Sequence, residues 1–216
     1  KVIAQKLAVK EYRNAHRIFL GAMGYVLAVG SVASLVLFFG AGFFLKDEAA
    51  IPVLRVFSPT IFIYGILGVL RGYFQAHRSM VQTSVSQVLE LIFNAVVSVG
   101  AAMLLIKGAL GTLEIPADEA AKVTRATRGA IGSAMGTGAG VLVALLFMLG
   151  IYLLNRGTIR RRIQRDRHEQ TDSYSQIIKT IALVVTPFIL STAIYNLSDL
   201  LNFKIYTEWI GFLRVV

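Results

Sequence analysis

The chain has 216 residues, 56% of them hydrophobic, and a mean hydropathy of +0.66. That composition excludes a water-soluble globular domain, whose interior at this length cannot hide so much apolar sequence. The formal charge of +10 invites a nucleic-acid partner, but the placement of the charges argues for membrane topology instead; the absence of cysteine excludes disulfides and thiolate metal sites.

A helix rises about 1.5 Å per residue, so roughly 20 apolar residues cross a hydrocarbon core. Five stretches meet that length. Residues 18–45, 129–155 and 180–198 carry no formal charge; 51–70 carries only Arg55, and 83–106 only Glu90. The chain opens on Lys1 in a basic segment and stops at Val216 soon after an apolar run, without an initiating Met or a signal peptide. A piece of a longer polypeptide is expected.

The first span, about 18–45, has only Tyr25, Ser31 and Ser34 as polar side chains and reads as a packing and lipid-facing helix. The second, about 51–70, holds Arg55 between Pro52 and Pro59. Pro59 has no amide hydrogen, so a hinge is expected there. Arg55 either snorkels to headgroups or faces an internal cavity as a cation.

The third span, about 83–106, is the most informative. Successive helical residues turn by about 100°, so Thr83, Gln87, Glu90, Asn94 and Ser98 share an arc of roughly 80° on an otherwise apolar helix. A carboxylate in a membrane costs several kcal/mol unless it is paired, protonated or hydrated. The stripe is either buried against a neighbouring helix or is the wall of a hydrated pathway. Gln87, Glu90 and Asn94 are the candidate pathway residues, with Glu90 a substrate contact or a site for a coupling proton or monovalent cation.

The fourth span, about 129–155, contains Gly132, Gly136 and Gly140, spaced by four. Small residues at that spacing let two helix backbones approach closely, so these are packing positions. The preceding 116–119 segment, Pro-Ala-Asp-Glu, suits a helix start outside the membrane. The fifth span, about 177–201, has Pro187 as a second expected hinge, and Asp199 near its far end is a further pathway candidate.

Lys and Arg concentrate in cytoplasmic loops. Segments 1–17, 71–82 and 155–179 fall on one side and together hold fourteen; the other side holds five, diluted by acidic residues. The first side is therefore read as cytoplasmic. The densest cluster, Arg160-Arg161-Arg162-Ile163-Gln164-Arg165-Asp166-Arg167, reads as a topology determinant that also meets anionic headgroups, with a binding surface for a pyrophosphate headgroup or a nucleic acid as the sharper alternative. Arg71 sits where the second span meets this side, either as an anchor or as a cation for an anionic substrate. His16, His77 and His168 are far apart, which argues against a metal site. There is no phosphate-cradling Gly-Lys-Ser/Thr motif, so an energy source other than nucleotide hydrolysis in this stretch is expected.

The junction of the second and third spans reads Leu70-Arg71-Gly72-Tyr73-Phe74-Gln75-Ala76-His77-Arg78-Ser79-Met80, followed by Ser86-Gln87-Val88-Leu89-Glu90. It resembles a signature of bacterial polysaccharide-biosynthesis exporters, the SpoVB-like branch of the multidrug/oligosaccharidyl-lipid/polysaccharide exporter superfamily, which is related to the MurJ lipid II flippases. The Lys6–Phe19 segment and Tyr195-Asn196-Leu197-Ser198-Asp199 resemble other parts of that family. Ala76 departs from its usual Gly, and residues 81–83 lack its usual Pro.

The resemblance implies an all-α membrane protein whose five transmembrane helices form part of a two-lobed, MATE-like bundle. On that template 1–17 is a cytoplasmic loop and 18–154 supplies four helices of the first lobe. Residues 155–176 are a basic cytoplasmic linker, and 177–216 begin the second lobe. It further implies a non-enzymatic flippase in a bacterial plasma membrane that moves an undecaprenyl-linked oligosaccharide or peptidoglycan precursor to the outer leaflet by alternating access. Its partners would be the bilayer, the lipid-linked sugar and the remaining helices of the polypeptide, with no nucleic acid and no resident cofactor. The alternatives are a drug/cation antiporter of the same superfamily, a membrane enzyme acting on the same class of lipid, and a non-transporting membrane protein of cell-envelope or spore-wall assembly.

Overall fold

A computed structural model describes residues 2–45, 48–114, 118–164, 166 and 173–215, the last segment largely as backbone beyond residue 195. Six helices follow one another: α1 Val2–Ala8, α2 Tyr12–Phe44, α3 Ile51–Ala76, α4 Met80–Leu110, α5 Glu119–Gln164 and α6 Tyr174–Val215. All regular structure among the described residues is helical, and five helices are long and apolar enough to cross a membrane. The chain is an all-α membrane protein. Two compact units result: Lys1–Thr171, with α1 to α5, and Asp172–Val216, with α6.

Each of the five spanning helices, α2 to α6, is longer than the apolar stretch that announces it. The segment between α3 and α4 shrinks to residues 77–79, and α5 carries Arg160, Arg161 and Arg162 on its last helical turn and a half rather than in a loop. Hydropathy marks only the part of a helix that sits in hydrocarbon. Backbone hydrogen bonding continues past that border wherever no breaker intervenes. The real stops are local. Gly111 adopts a left-handed conformation (φ +70°) and its N–H donates to the Lys107 carbonyl at 2.8 Å, closing α4. Asp118 accepts the Ala121 N–H at 3.2 Å and opens α5. Lys10 and Arg78 take positive φ in the tight turns between α1 and α2 and between α3 and α4.

The first unit has one apolar core, made where the start of α2, the end of α3 and the middle of α5 meet. Phe19, Leu67, Leu70, Tyr73, Phe74, Val141, Ala144, Leu145 and Met148 are buried there. The Phe19 ring lies 4.4 Å from that of Tyr73 and 5.5 Å from that of Tyr152. Elsewhere large apolar side chains point outward, among them Phe43 (89% exposed), Leu154 (87%) and Leu104 (73%). Such a surface suits lipid, not water.

Helix–helix contact away from that core relies on small and hydroxylated residues. Between α2 and α3, Ser34 donates to the Ser58 carbonyl (3.0 Å), and the Ser58 hydroxyl donates to the Ser34 carbonyl (2.5 Å). Between α4 and α5 the contact is backbone to backbone. A Cβ added at Gly132 would run into the Ala102 backbone, one at Gly136 into Ser98, and one at Gly140 into the Glu90 carbonyl and Asn94. With no side chain on α5 at these points, the two helices close to a separation that any larger residue would prevent.

Candidate functional site

The polar stripe of α4 divides between two neighbours. Its first part faces α3. Arg71, in the penultimate turn of α3, is 8% exposed and lies over Ser86 and Glu90. Its Nε donates to Ser86 Oγ at 2.9 Å, and its terminal nitrogen donates to Glu90 Oε2 at 2.7 Å. The Ser86 hydroxyl in turn donates to the Thr83 carbonyl at 2.7 Å. Residues 83, 86 and 90 occupy one face because three- and four-residue steps return to the same side of a helix. The short 77–79 turn sets α4 antiparallel to α3, which brings that face to Arg71.

The later part of the stripe faces α5. The Ser98 hydroxyl donates to Asn94 Oδ1 at 2.8 Å and lies 3.3 Å from the Ser133 carbonyl. Asn94 packs against the gap left by Gly140. Gln87, on the same stripe, is exposed.

The chemistry of the Arg71–Glu90 pair follows from its setting. An isolated charge of either sign at this depth would cost several kcal/mol. Opposite charges in hydrogen-bond contact remove most of that cost, and Ser86 occupies a further guanidinium donor. Glu90 keeps 18% of its side chain exposed, whereas Arg71 keeps 9%. The carboxylate is therefore the member of the pair that a proton or a cation can reach first. The Thr83 hydroxyl, two turns before Glu90 on the same face, is buried without a hydrogen-bond partner. Among the described residues no cluster of His, Asp or Glu is arranged to hold a metal ion.

The other sequence-derived residues lie apart from this pair. Arg55 is exposed in the second turn of α3. Pro59 sits within α3 beside the buried Ser58 and Thr60, and it leaves the Arg55 carbonyl without its helical partner. Pro187 lies inside α6. Asp199 is on the backbone of α6, but its side chain is outside the described residues. Sequence reasoning treated Arg71 and Glu90 as separate cavity groups and passed over Ser86. The signal for Ser86 was its spacing of four from Glu90, which puts both on one face.

Comparison with known proteins adds three findings. The family model described as "Polysaccharide biosynthesis protein" matches residues 1–115, which include α1 to α4 and the whole Arg71–Ser86–Glu90 cluster. The lipid II flippase MurJ of Bacillus subtilis (strain 168) is 26% identical over 127 residues, covering 53% of this chain and 23% of that protein. The chain thus spans about a quarter of the relative's length. No solved structure matches.

Proposed function

Because this chain belongs to the polysaccharide biosynthesis protein family, we propose that it is part of a flippase for a lipid-linked saccharide precursor. The substrate in this reading is an undecaprenyl-linked oligosaccharide or peptidoglycan precursor. It moves from the cytoplasmic to the outer leaflet of a bacterial plasma membrane by alternating access. Segments 1–17, 71–82 and 155–179 face the cytoplasm, in line with their excess of Lys and Arg.

One observation carries the mechanistic part: the ion pair of Arg71 with the more accessible Glu90 at the basic end of the α3–α4 seam. A lipid-linked precursor carries a pyrophosphate. Its oxygens are the same kind of acceptor as a carboxylate and suit the planar guanidinium fork. In the resting state Glu90 occupies Arg71. An arriving diphosphate competes for that cation, and the displaced carboxylate then takes up a proton or a monovalent cation, since it cannot stay charged and unpaired in the membrane. Substrate entry is thereby coupled to a change in what holds α3 to α4. Gln87, between Ser86 and Glu90, and Asn94, one turn beyond them, supply hydrogen-bonding groups along the same stripe; Arg55 and Asp199 are further pathway candidates.

The test is complementation. The full-length protein is expressed in bacteria depleted of their own lipid II or wall-polymer flippase, and survival and outward appearance of the precursor are scored at matched membrane levels. Rescue is expected from the native protein and its loss from Arg71→Ala. Glu90→Gln should retain substrate binding, since it frees Arg71, yet fail to turn over. Absence of rescue by a well-expressed native protein would overturn the substrate assignment. Full rescue by both variants would remove the pair from the mechanism.

A further inference from the structure

A groove of about 410 Å³, lined by no residue of α4, runs between the start of α2 and the far end of α5. Its floor is apolar: Leu20 from α2, and Tyr152, Leu153, Ile159 and Ile163 from α5. Its rim carries two cations, Arg156 and Arg160, and His16 stands on the α2 side. We infer that this groove is a specific binding site for one anionic phospholipid of the leaflet on the basic side of the membrane. The phosphate would lie between Arg156 and Arg160, and an acyl chain along Leu20 and Leu153.

Four features support that occupant. First, Arg156 and Arg160 are four residues apart, so their side chains rise side by side from one helix face. Like charges at that spacing repel, and among the described residues neither has an ion-pair partner. An anion between them removes the repulsion. Second, the site lies at the edge of the hydrocarbon layer. Residues 129–155 carry no charge and Arg156 is the first that does, so an amphipathic ligand meets a change from apolar to cationic within one or two turns. Third, Tyr152 stands at that border with its ring against Phe19, where aromatic side chains accumulate at membrane interfaces. Fourth, the apolar end opens sideways. Leu20 (44% exposed) and Leu153 (61%) continue the floor toward the lipid-facing surface, and Leu154 (87%) projects beside them. A free phosphate or an acidic peptide would use the rim and leave the floor empty, whereas a phospholipid uses both.

A specific site differs from diffuse attraction of a basic surface to an acidic membrane. Diffuse attraction counts charges wherever they sit. A groove reads two arginines and ignores their neighbour Arg161, which is turned by about 100° on the helix and does not line it. The inference uses the proposed membrane orientation but not the transport reaction. Its test therefore fails or succeeds independently of precursor flipping.

The experiment is native mass spectrometry of the detergent-solubilised full-length protein, titrated with palmitoyl-oleoyl phosphatidylglycerol or with phosphatidylcholine of the same chains. The first phosphatidylglycerol is expected to bind at least about tenfold more tightly than phosphatidylcholine. Arg156→Gln and Arg160→Gln should each weaken it about fivefold, the size expected of one basic residue near an anionic headgroup. Arg161→Gln should leave it unchanged. Arg156→Lys, which keeps the charge and guards against a folding artefact, should retain the larger part of the preference. Equal losses in all three Gln variants would replace the site with diffuse attraction. No preference between the two lipids would overturn it outright. Displacement of bound phosphatidylglycerol by a much lower concentration of undecaprenyl phosphate would reassign the groove to the substrate.

Discussion

Helix α4 meets α3 and α5 along the same polar stripe but by opposite means. Toward α3 it offers Glu90 and Ser86 to a buried arginine. Toward α5 it meets glycines, and backbone touches backbone. The first contact depends on charge, so protonation or a competing anion can undo it. The second depends on the absence of atoms, and no solute can change it. In the proposed mechanism, a helix held by one exchangeable and one permanent contact parts from α3 while staying on α5. Both partners of the charged seam lie within residues 1–115, whereas the glycines of α5 lie beyond them.

The largest effect is expected from the permanent contact. Gly136→Leu would drive a side chain into the Ser98 backbone, and loss of the monodisperse peak in fluorescence-detected size exclusion is the expected result. Ordinary overpacking of a core costs about 1–3 kcal/mol; here the added group meets backbone that cannot rotate away, so the two helices must part and the loss should exceed that of the charge variant below. Gly150→Ala is the matched control, since nothing lies within 4 Å of the added carbon, and it should behave as the native protein. A harmless Gly136→Leu would mean that α4 and α5 are not closed in this way.

Next comes the removal of one charge. Arg71→Ala leaves a carboxylate in the membrane, and breaking a buried pair from one side costs about 3–5 kcal/mol. A lower thermal unfolding midpoint should report it. The double variant Arg71→Met with Glu90→Leu should recover most of that stability while remaining unable to complement, because the apolar pair cannot exchange partners. Recovery of both properties would show that the pair is structural only.

Smaller effects should follow along the stripe. Ser86→Ala removes one hydrogen bond to a charged group, a loss of about 1.5–3 kcal/mol, read in the same melting experiment. Asn94→Ala removes only a hydrogen bond within α4, the one donated by Ser98, and should cost roughly 0.2–0.5 kcal/mol. If the Asn94 variant were the more damaging, the division of the stripe into an exchangeable and a permanent half would be reversed.

Much of this organisation is legible in the amino-acid sequence. The five spans are written in uncharged runs, and the α4 stripe in the spacing of Thr83, Glu90, Asn94 and Ser98. The pairing of Arg71 with Glu90 was less accessible. It depends on how far each helix is rotated about its own axis, which hydropathy does not encode; the three-residue turn that fixes the register was hidden by reading residues 71–82 as a loop. Ser86 was missed because Gln87, the larger polar group beside it, fits the same arc. The groove beside Arg156 was invisible for a further reason. It needs α5 to remain helical past residue 155, where the apolar signal stops but the backbone ladder does not.

That continuation gives α5 the proportions of a lever. Gln164 lies 28 positions beyond Gly136 on the same helix, about 42 Å along the axis at 1.5 Å per residue. If the Gly136 contact acts as a fulcrum, a tilt of only about 10° there would sweep the far end through roughly 7 Å. A displacement of that size is comparable to a full helical turn. Because Val141, Ala144, Leu145 and Met148 pin that arm to α2 and α3, a small readjustment deep in the bundle would reach the basic end only by carrying those helices with it.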